Sequence, residues 1–212
     1  MAKKERKLTS AEAKRKELFE AKVQNLLKQG YKKKDLTISV VTANVMAVVV
    51  MLPAVILFCW LYFRMNGGRA MINFDFVSGM IFLISVVMLT VIHEGIHGIT
   101  WAFFSENHFH DIEFGFIWHM LTPYCTCKSA LTKRQYIIGA LMPTIIVGII
   151  PAIIAIIYHY DILFLLSLLM IIGGGGDTLI VLKLLFYKEN GRDSIYMDHP
   201  YECGIVVFEH TN

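Results

Sequence analysis

Val91-Ile92-His93-Glu94-Gly95-Ile96-His97-Gly98 sets two histidines four residues apart, with a glutamate beside the first. On a helix, positions four apart share a face, so His93 and His97 can point at one metal ion. Glu94 falls beside that face, where it can act as general base on a water held by the same metal. The surroundings decide the fold. Phe76 to Leu89, just before the motif, is apolar or small throughout and carries no charge; Ile99-Thr100-Trp101-Ala102-Phe103-Phe104 follows it. A helix of this composition reads as a membrane span, and ionisable groups inside a span mark a functional site.

The totals agree. Of 212 residues, 56% are hydrophobic and only 17% charged, a polytopic membrane composition. The net charge of +3 hides an asymmetry. Residues 1–36 hold twelve Lys or Arg against five acids, and the rest holds eight against twelve. The basic excess is a local arm with no interleaved aromatics, so no nucleic-acid partner is expected. Cys59, Cys125, Cys127 and Cys203 have no spacing that suggests a disulfide framework. No cleavable signal peptide is expected, because the charged arm is long and no small-residue cleavage site follows the first apolar run.

In chain order, residues 1–35 read as a basic cytosolic helix and linker. Thr9-Ser10-Ala11-Glu12 has the capping-box pattern and Gly30 is a stop, with Leu18, Phe19, Val23, Leu26 and Leu27 as an apolar stripe. This helix reads as a solvated charged segment that fixes topology, with anionic lipid as the alternative. Four spans are expected within 36–187: Leu36–Phe63 with Pro53, Phe76–Phe104 with the motif, Tyr136–Tyr158 with Pro143 and Pro151, and Ile162–Tyr187, interrupted by Gly173-Gly174-Gly175-Gly176-Asp177. The distribution of Lys and Arg places both termini in the cytosol and implies an integral protein of the plasma membrane. The cytosolic loop 105–135 alternates from Asp111 to Phe116 and again around Tyr124 to Ser129, which predicts a two-stranded hairpin over 111–128. Its edge beside the motif could take an extended peptide by strand addition, or it is an ordinary interfacial hairpin. In the cytosolic tail 188–212, Gly204–Phe208 reads as a strand that could extend the same sheet, and His199 and His210 read as solvent-exposed. The expected fold is thus an all-α polytopic membrane protein of about four transmembrane helices with a small cytosolic β-hairpin between the second and third.

Catalytic zinc normally takes three protein ligands. The extension that adds Gly and His three and six residues after the second His is ruled out by Thr100 and Phe103. The loop offers Glu106, His108, His110, Asp111, Glu113, His119, Cys125 and Cys127; the fourth span offers Asp177. Depth favours Asp177. It lies about 15 residues into its span and His93 about 17 into a span running the same way, roughly 22 and 25 Å at 1.5 Å per residue. The glycines before Asp177 would let its helix approach another closely.

His93-Glu94-x-x-His97-Gly98 late in a span, the hairpin, Pro143 in the next span and Gly176-Asp177 in the last resemble the site-2-protease-like membrane metallopeptidases. The resemblance is closer still to the family of putative membrane zincin peptidases, through Tyr136-x-x-x-Ala140-x-x-Pro143 and Asp198-His199-Pro200, and covers roughly residues 75–210. It implies His93, His97 and Asp177 as metal ligands, Zn2+ as cofactor and Glu94 as the catalytic base. One departure concerns substrate holding and the oxyanion. Site-2 proteases place Asn and Pro before the aspartate and Gly after it, whereas here four glycines precede Asp177 and Thr178 follows.

The expected function is therefore a zinc-dependent peptidase acting on membrane-protein or peptide substrates in or near the bilayer. A divalent-metal transporter and a metal-dependent lipid hydrolase could use the same residues. The transporter is disfavoured because the first and third spans offer little beyond Thr42, Asn44 and Thr144 as further ligands. A catalytically dead metal-binding scaffold is disfavoured by the intact Glu94.

Overall fold

The long helices turn many large apolar side chains outward and bury the histidine pair. The computed structural model describes residues 9–67, 75–117, 122–189 and 193–210. Helix α2 (Val40–Met65) and helix α3 (Phe76–Phe104) expose valines, isoleucines, leucines and phenylalanines on most sides. The buried residues of α3 are His93, His97, Gly98, Trp101 and Ala102. Both helices are long and apolar enough to cross a membrane. Lys133–Tyr158 is a third helix long and apolar enough to cross a membrane. It consists of α4 (Lys133–Pro143), a π-helical segment (Thr144–Ile149) and α5 (Ile150–Tyr158). α6 (Asp161–Gly173) and α7 (Gly175–Phe186) make a fourth only if taken together, since they are bent by 44° at Gly174.

Three of these helices start at side-chain caps. Ser39, Asp75 and Thr132 each accept from the backbone N–H three residues on, and Thr132 forms a full capping box with Gln135. The glycine run has unequal members. A Cβ on Gly174 would fall 1.8 Å from Thr144 Oγ1, and one on Gly175 2.5 Å from the Ala47 carbonyl oxygen. Gly173 and Gly176 face open space. Two of the four glycines therefore let α7 pack against α2 and the π-helical segment, and so place the first turn of α7 at the centre of the helices.

The chain is mostly helical rather than all-α, because two small sheets join it. β2 (Ile112–Ile117) and β3 (Thr122–Cys127) form the expected hairpin, with Phe114 opposite Cys125; its tip, Trp118 to Leu121, lies outside the described residues. The second sheet differs from expectation. Residues 31–35, read as linker, are strand β1 (Tyr31–Asp35), which pairs antiparallel with β5 (Ile205–His210); β5 pairs in turn with β4 (Asp193–Asp198). The tail strand thus joins the N-terminal arm and not the hairpin; a single bridge, Leu131 to Tyr196, approaches it.

Nor is helix α1 (Ser10–Lys28) a solvated segment. Phe19 and Val23 are buried against Met197, Val206 and Phe208, so its stripe covers one face of this sheet. Arg15 is buried as well. It donates to the Pro200 carbonyl, the Glu113 carboxylate and the Tyr124 hydroxyl, while Lys22 donates to the Lys128 carbonyl, tying α1 to hairpin and tail alike. The tail histidines are also engaged rather than exposed. His199 accepts from the Tyr201 and Glu202 amides and packs on Phe19, and His210 stacks edge-on with Tyr31.

Candidate metal centre

His93, Glu94 and His97 sit in the second half of α3, and Asp177 in the first turn of α7. One carboxylate oxygen, Asp177 Oδ2, lies 3.4 Å from His93 Nε2 and 3.3 Å from His97 Nε2. The three ligand atoms fall within 4.8 Å of one another, and both imidazoles are buried. These distances are long for hydrogen bonds, which centre near 2.9–3.0 Å. They match the edge of a tetrahedron whose ligand bonds are about 2.0–2.1 Å, roughly 3.3–3.4 Å. Two neutral imidazoles and a carboxylate are also the donor set of a three-ligand catalytic zinc. The residues present therefore fit that ion.

The supports of His97 explain sequence that the motif alone does not. Pro143 has no N–H, so the Gly139 carbonyl four residues earlier lacks its helical donor. The next amide, that of Thr144, donates to Leu141 instead. Gly139 O is left to accept from His97 Nδ1 at 2.8 Å, which turns Nε2 towards Asp177. Trp101 stacks on the His97 ring at 4.9 Å and donates to the Tyr136 carbonyl. Its indole lies so close that a Cβ on Gly139 would meet it at 2.0 Å. Pro143→Ala restores the missing N–H and with it the competing helical bond. The expected outcome is a more stable α4 but zinc affinity lower by about 10–100-fold, read by chelator competition and thermal unfolding together. Unchanged affinity would mean that Gly139 O does not orient His97.

Glu94 is half-buried, and the Cys125 backbone amide of β3 approaches its carboxylate. The hairpin can come this near because a Cβ on Gly98 would strike the Phe114 ring at 2.5 Å, and glycine has none. Along a strand, alternate amides face alternate edges. On β3 the edge away from β2 belongs to residues 123, 125 and 127. Pro123 has no N–H, that of Cys125 approaches Glu94, and that of Cys127 donates to Asp198 Oδ2 at 2.8 Å. On this edge Pro123 and Cys127 thus offer no free donor to an added strand.

The other candidate ligands are placed elsewhere. Glu106, His108 and His110 are exposed, and His108 Nδ1 bonds the Ala102 carbonyl. Asp111 is buried but accepts from Ser129 and Asn107, which holds its carboxyl below the usual range against the opposing effect of burial. Glu113 pairs with Arg15 and Lys128. Burial, then the Asp198 carboxylate, raises both Cys125 and Cys127, the latter up to about 12, so both remain neutral thiols near pH 7. His119 lies outside the described residues. Sequence reading missed Gly139, Pro143 and Trp101 as supports; their one visible signal was a proline four residues after a glycine in a span.

A family model described as putative zincin peptidase matches residues 86–191, half of the chain. The matched stretch starts on α3 ahead of His93 and ends after α7, so it takes in the hairpin and all four site residues. It leaves out α1, α2, β4 and β5, and with them Asp198-His199-Pro200. No curated protein and no solved structure matches the chain.

Proposed function

The chain belongs to the putative zincin peptidase family, and from that premise we propose that it is a zinc-dependent metallopeptidase that hydrolyses peptide bonds in or near a membrane. His93, His97 and Asp177 would hold the ion, and Glu94 would be the general base. The observation that carries this reading is the shared Asp177 Oδ2, 3.3–3.4 Å from both Nε2 atoms, on the helix face beside Glu94.

Zinc, when bound in such a site, polarises the scissile carbonyl and lowers the pKa of the attacking water. Glu94 takes the proton from that water and passes it to the amine as the C–N bond breaks, so one water and one peptide give a carboxylate and an amine. His97 is kept in one tautomer by Gly139 O and in one plane by Trp101. Transport is disfavoured by what surrounds the site. Apart from the two histidines, the buried polar side chains of α2 to α7 among the described residues are Thr144 and Ser167, and the Ser167 hydroxyl donates to the Leu163 carbonyl. A chain of ligands leading to or from the site is thus missing there.

The direct test uses purified protein in lipid vesicles with a mixture of unstructured peptides. Bound zinc should be close to one per chain; a chelator should stop cleavage and added zinc restore it. Cleavage indifferent to the chelator would sink the zinc mechanism, and phospholipid hydrolysis in place of peptide cleavage would move the site to another substrate class.

The pairing of β1 with β5 also bears on topology. β1 precedes the first long helix and β5 follows the last, so both strands lie on one side of the helices. This supports an even number of crossings, with α6 and α7 counted as one broken span, and the basic arm supports that side as cytosolic. The bilayer in question is taken to be the plasma membrane. Tags on the two termini should be digested together or protected together in sealed vesicles. Opposite accessibility would overturn the four-span arrangement.

A further inference from the structure

We propose that Asp198, outside the family match, is a positioning residue for the catalytic site; the inference rests on the peptidase reading above. Asp198 ends β4, yet its carboxylate reaches two other elements. Oδ2 accepts from the Cys127 amide at 2.8 Å and from the Thr126 hydroxyl at 3.1 Å, and Oδ1 accepts from the Tyr136 hydroxyl at 2.5 Å. The first two bonds hold β3 at its outer edge, two residues from the Cys125 amide that approaches Glu94. The third holds α4 three residues before Gly139, whose carbonyl orients His97, and at the residue whose own carbonyl accepts from Trp101.

One carboxylate thus spans the gap between the strand beside the base and the helix that orients a ligand. On the outer edge of β3 Pro123 has no donor, so the Cys127 amide and the Thr126 hydroxyl make the link. Without Asp198, β3 keeps its bonds to β2 and its contact with Arg15 but loses the bonds that lead to α4. The strand beside Glu94 would then be held less firmly against the helix that orients His97. Supporting bonds of this kind cost about 10–100-fold in activity or metal affinity when removed. A positional tolerance of about 0.5 Å explains why.

The test compares Asp198→Ala and Asp198→Asn in the full-length protein, in detergent, on three readouts: kcat and KM for a peptide the wild type cleaves, zinc affinity, and hydrogen exchange of individual amides in the metal-free protein. Asp198→Ala should lower kcat by about 10–100-fold with KM moved less than about threefold. It should also speed exchange at Cys125 and Cys127 while leaving the β1–β5 pairing protected. Asp198→Asn retains an oxygen for the Cys127 amide, so it should recover most of the protection and part of kcat. It also carries the test if Asp198→Ala does not fold. Normal kcat in both variants, or exchange rising equally through β1, β5 and α4, would overturn the proposal. A failure of the peptidase reading is seen separately, as turnover in Glu94→Gln or none in the wild type, whatever the exchange pattern shows.

Discussion

Glu94→Gln should lower kcat by a factor of about 10²–10⁴, the usual contribution of a positioned general base, and leave zinc bound. The substitution keeps the length and shape of the side chain, and its carboxamide oxygen can still face the Cys125 amide that approaches the carboxylate. What disappears is the basic lone pair. None of the three ligand atoms belongs to Glu94, so His93, His97 and Asp177 keep their separations of 3.3–3.4 Å. KM should stay near its wild-type value, which makes the variant a trap for captured substrates. Metal analysis beside single-turnover kinetics checks both halves. Wild-type turnover with zinc present would sink the mechanism, and loss of zinc would show that Glu94 shapes the site instead of serving as its base.

The parts of this site legible in the sequence are those set by local periodicity or by a misfit with their surroundings. His93 and His97 share a face because they are four apart on one helix, and the bounds of α3 follow from its uninterrupted apolar run. Asp177 stands out as a carboxylate in an apolar span. The hairpin follows from alternation, and Pro123 sits on the outer edge of β3, where a strand tolerates its missing donor.

The rest depends on pairs far apart in the chain. Tyr31-Lys32-Lys33-Lys34-Asp35 has no strand composition, and it becomes β1 because β5, more than 170 residues later, presents an open edge. The stripe of α1 was visible, but its partners Met197, Val206 and Phe208 were not. Glycines give no hint of what approaches them: Gly98 meets Phe114, Gly139 meets Trp101, Gly174 meets Thr144 and Gly175 meets Ala47, and each pair joins separate elements. The role of the Gly139–Pro143 pair needs both the missing helical donor and the knowledge that His97 is beside it.

Asp177→Asn separates the models of the site most sharply, because it removes charge and basicity but little volume. Zinc affinity should fall by more than the about 10–100-fold that loss of a supporting partner costs, and activity should fall with it. An amide oxygen is a weak, neutral substitute for a carboxylate that faces both imidazoles at once. The fold should survive. Close packing of α7 depends on Gly174 and Gly175 rather than on Asp177, so loss of the carboxylate's contacts with the two histidines lowers the stability of the metal-free protein without undoing the helix packing. Metal-free Asp177→Asn should therefore unfold at a somewhat lower temperature than the metal-free wild type, while zinc should stabilise the wild type alone, as binding to the folded state requires. His108→Ala and His110→Ala provide the control and should bind zinc as the wild type does, because both side chains are exposed and neither belongs to the cluster. If Asp177→Asn kept its zinc and either loop variant lost it, the ion would belong to the loop. The 3.3 and 3.4 Å contacts of Asp177 would then be plain ion pairs with the histidines.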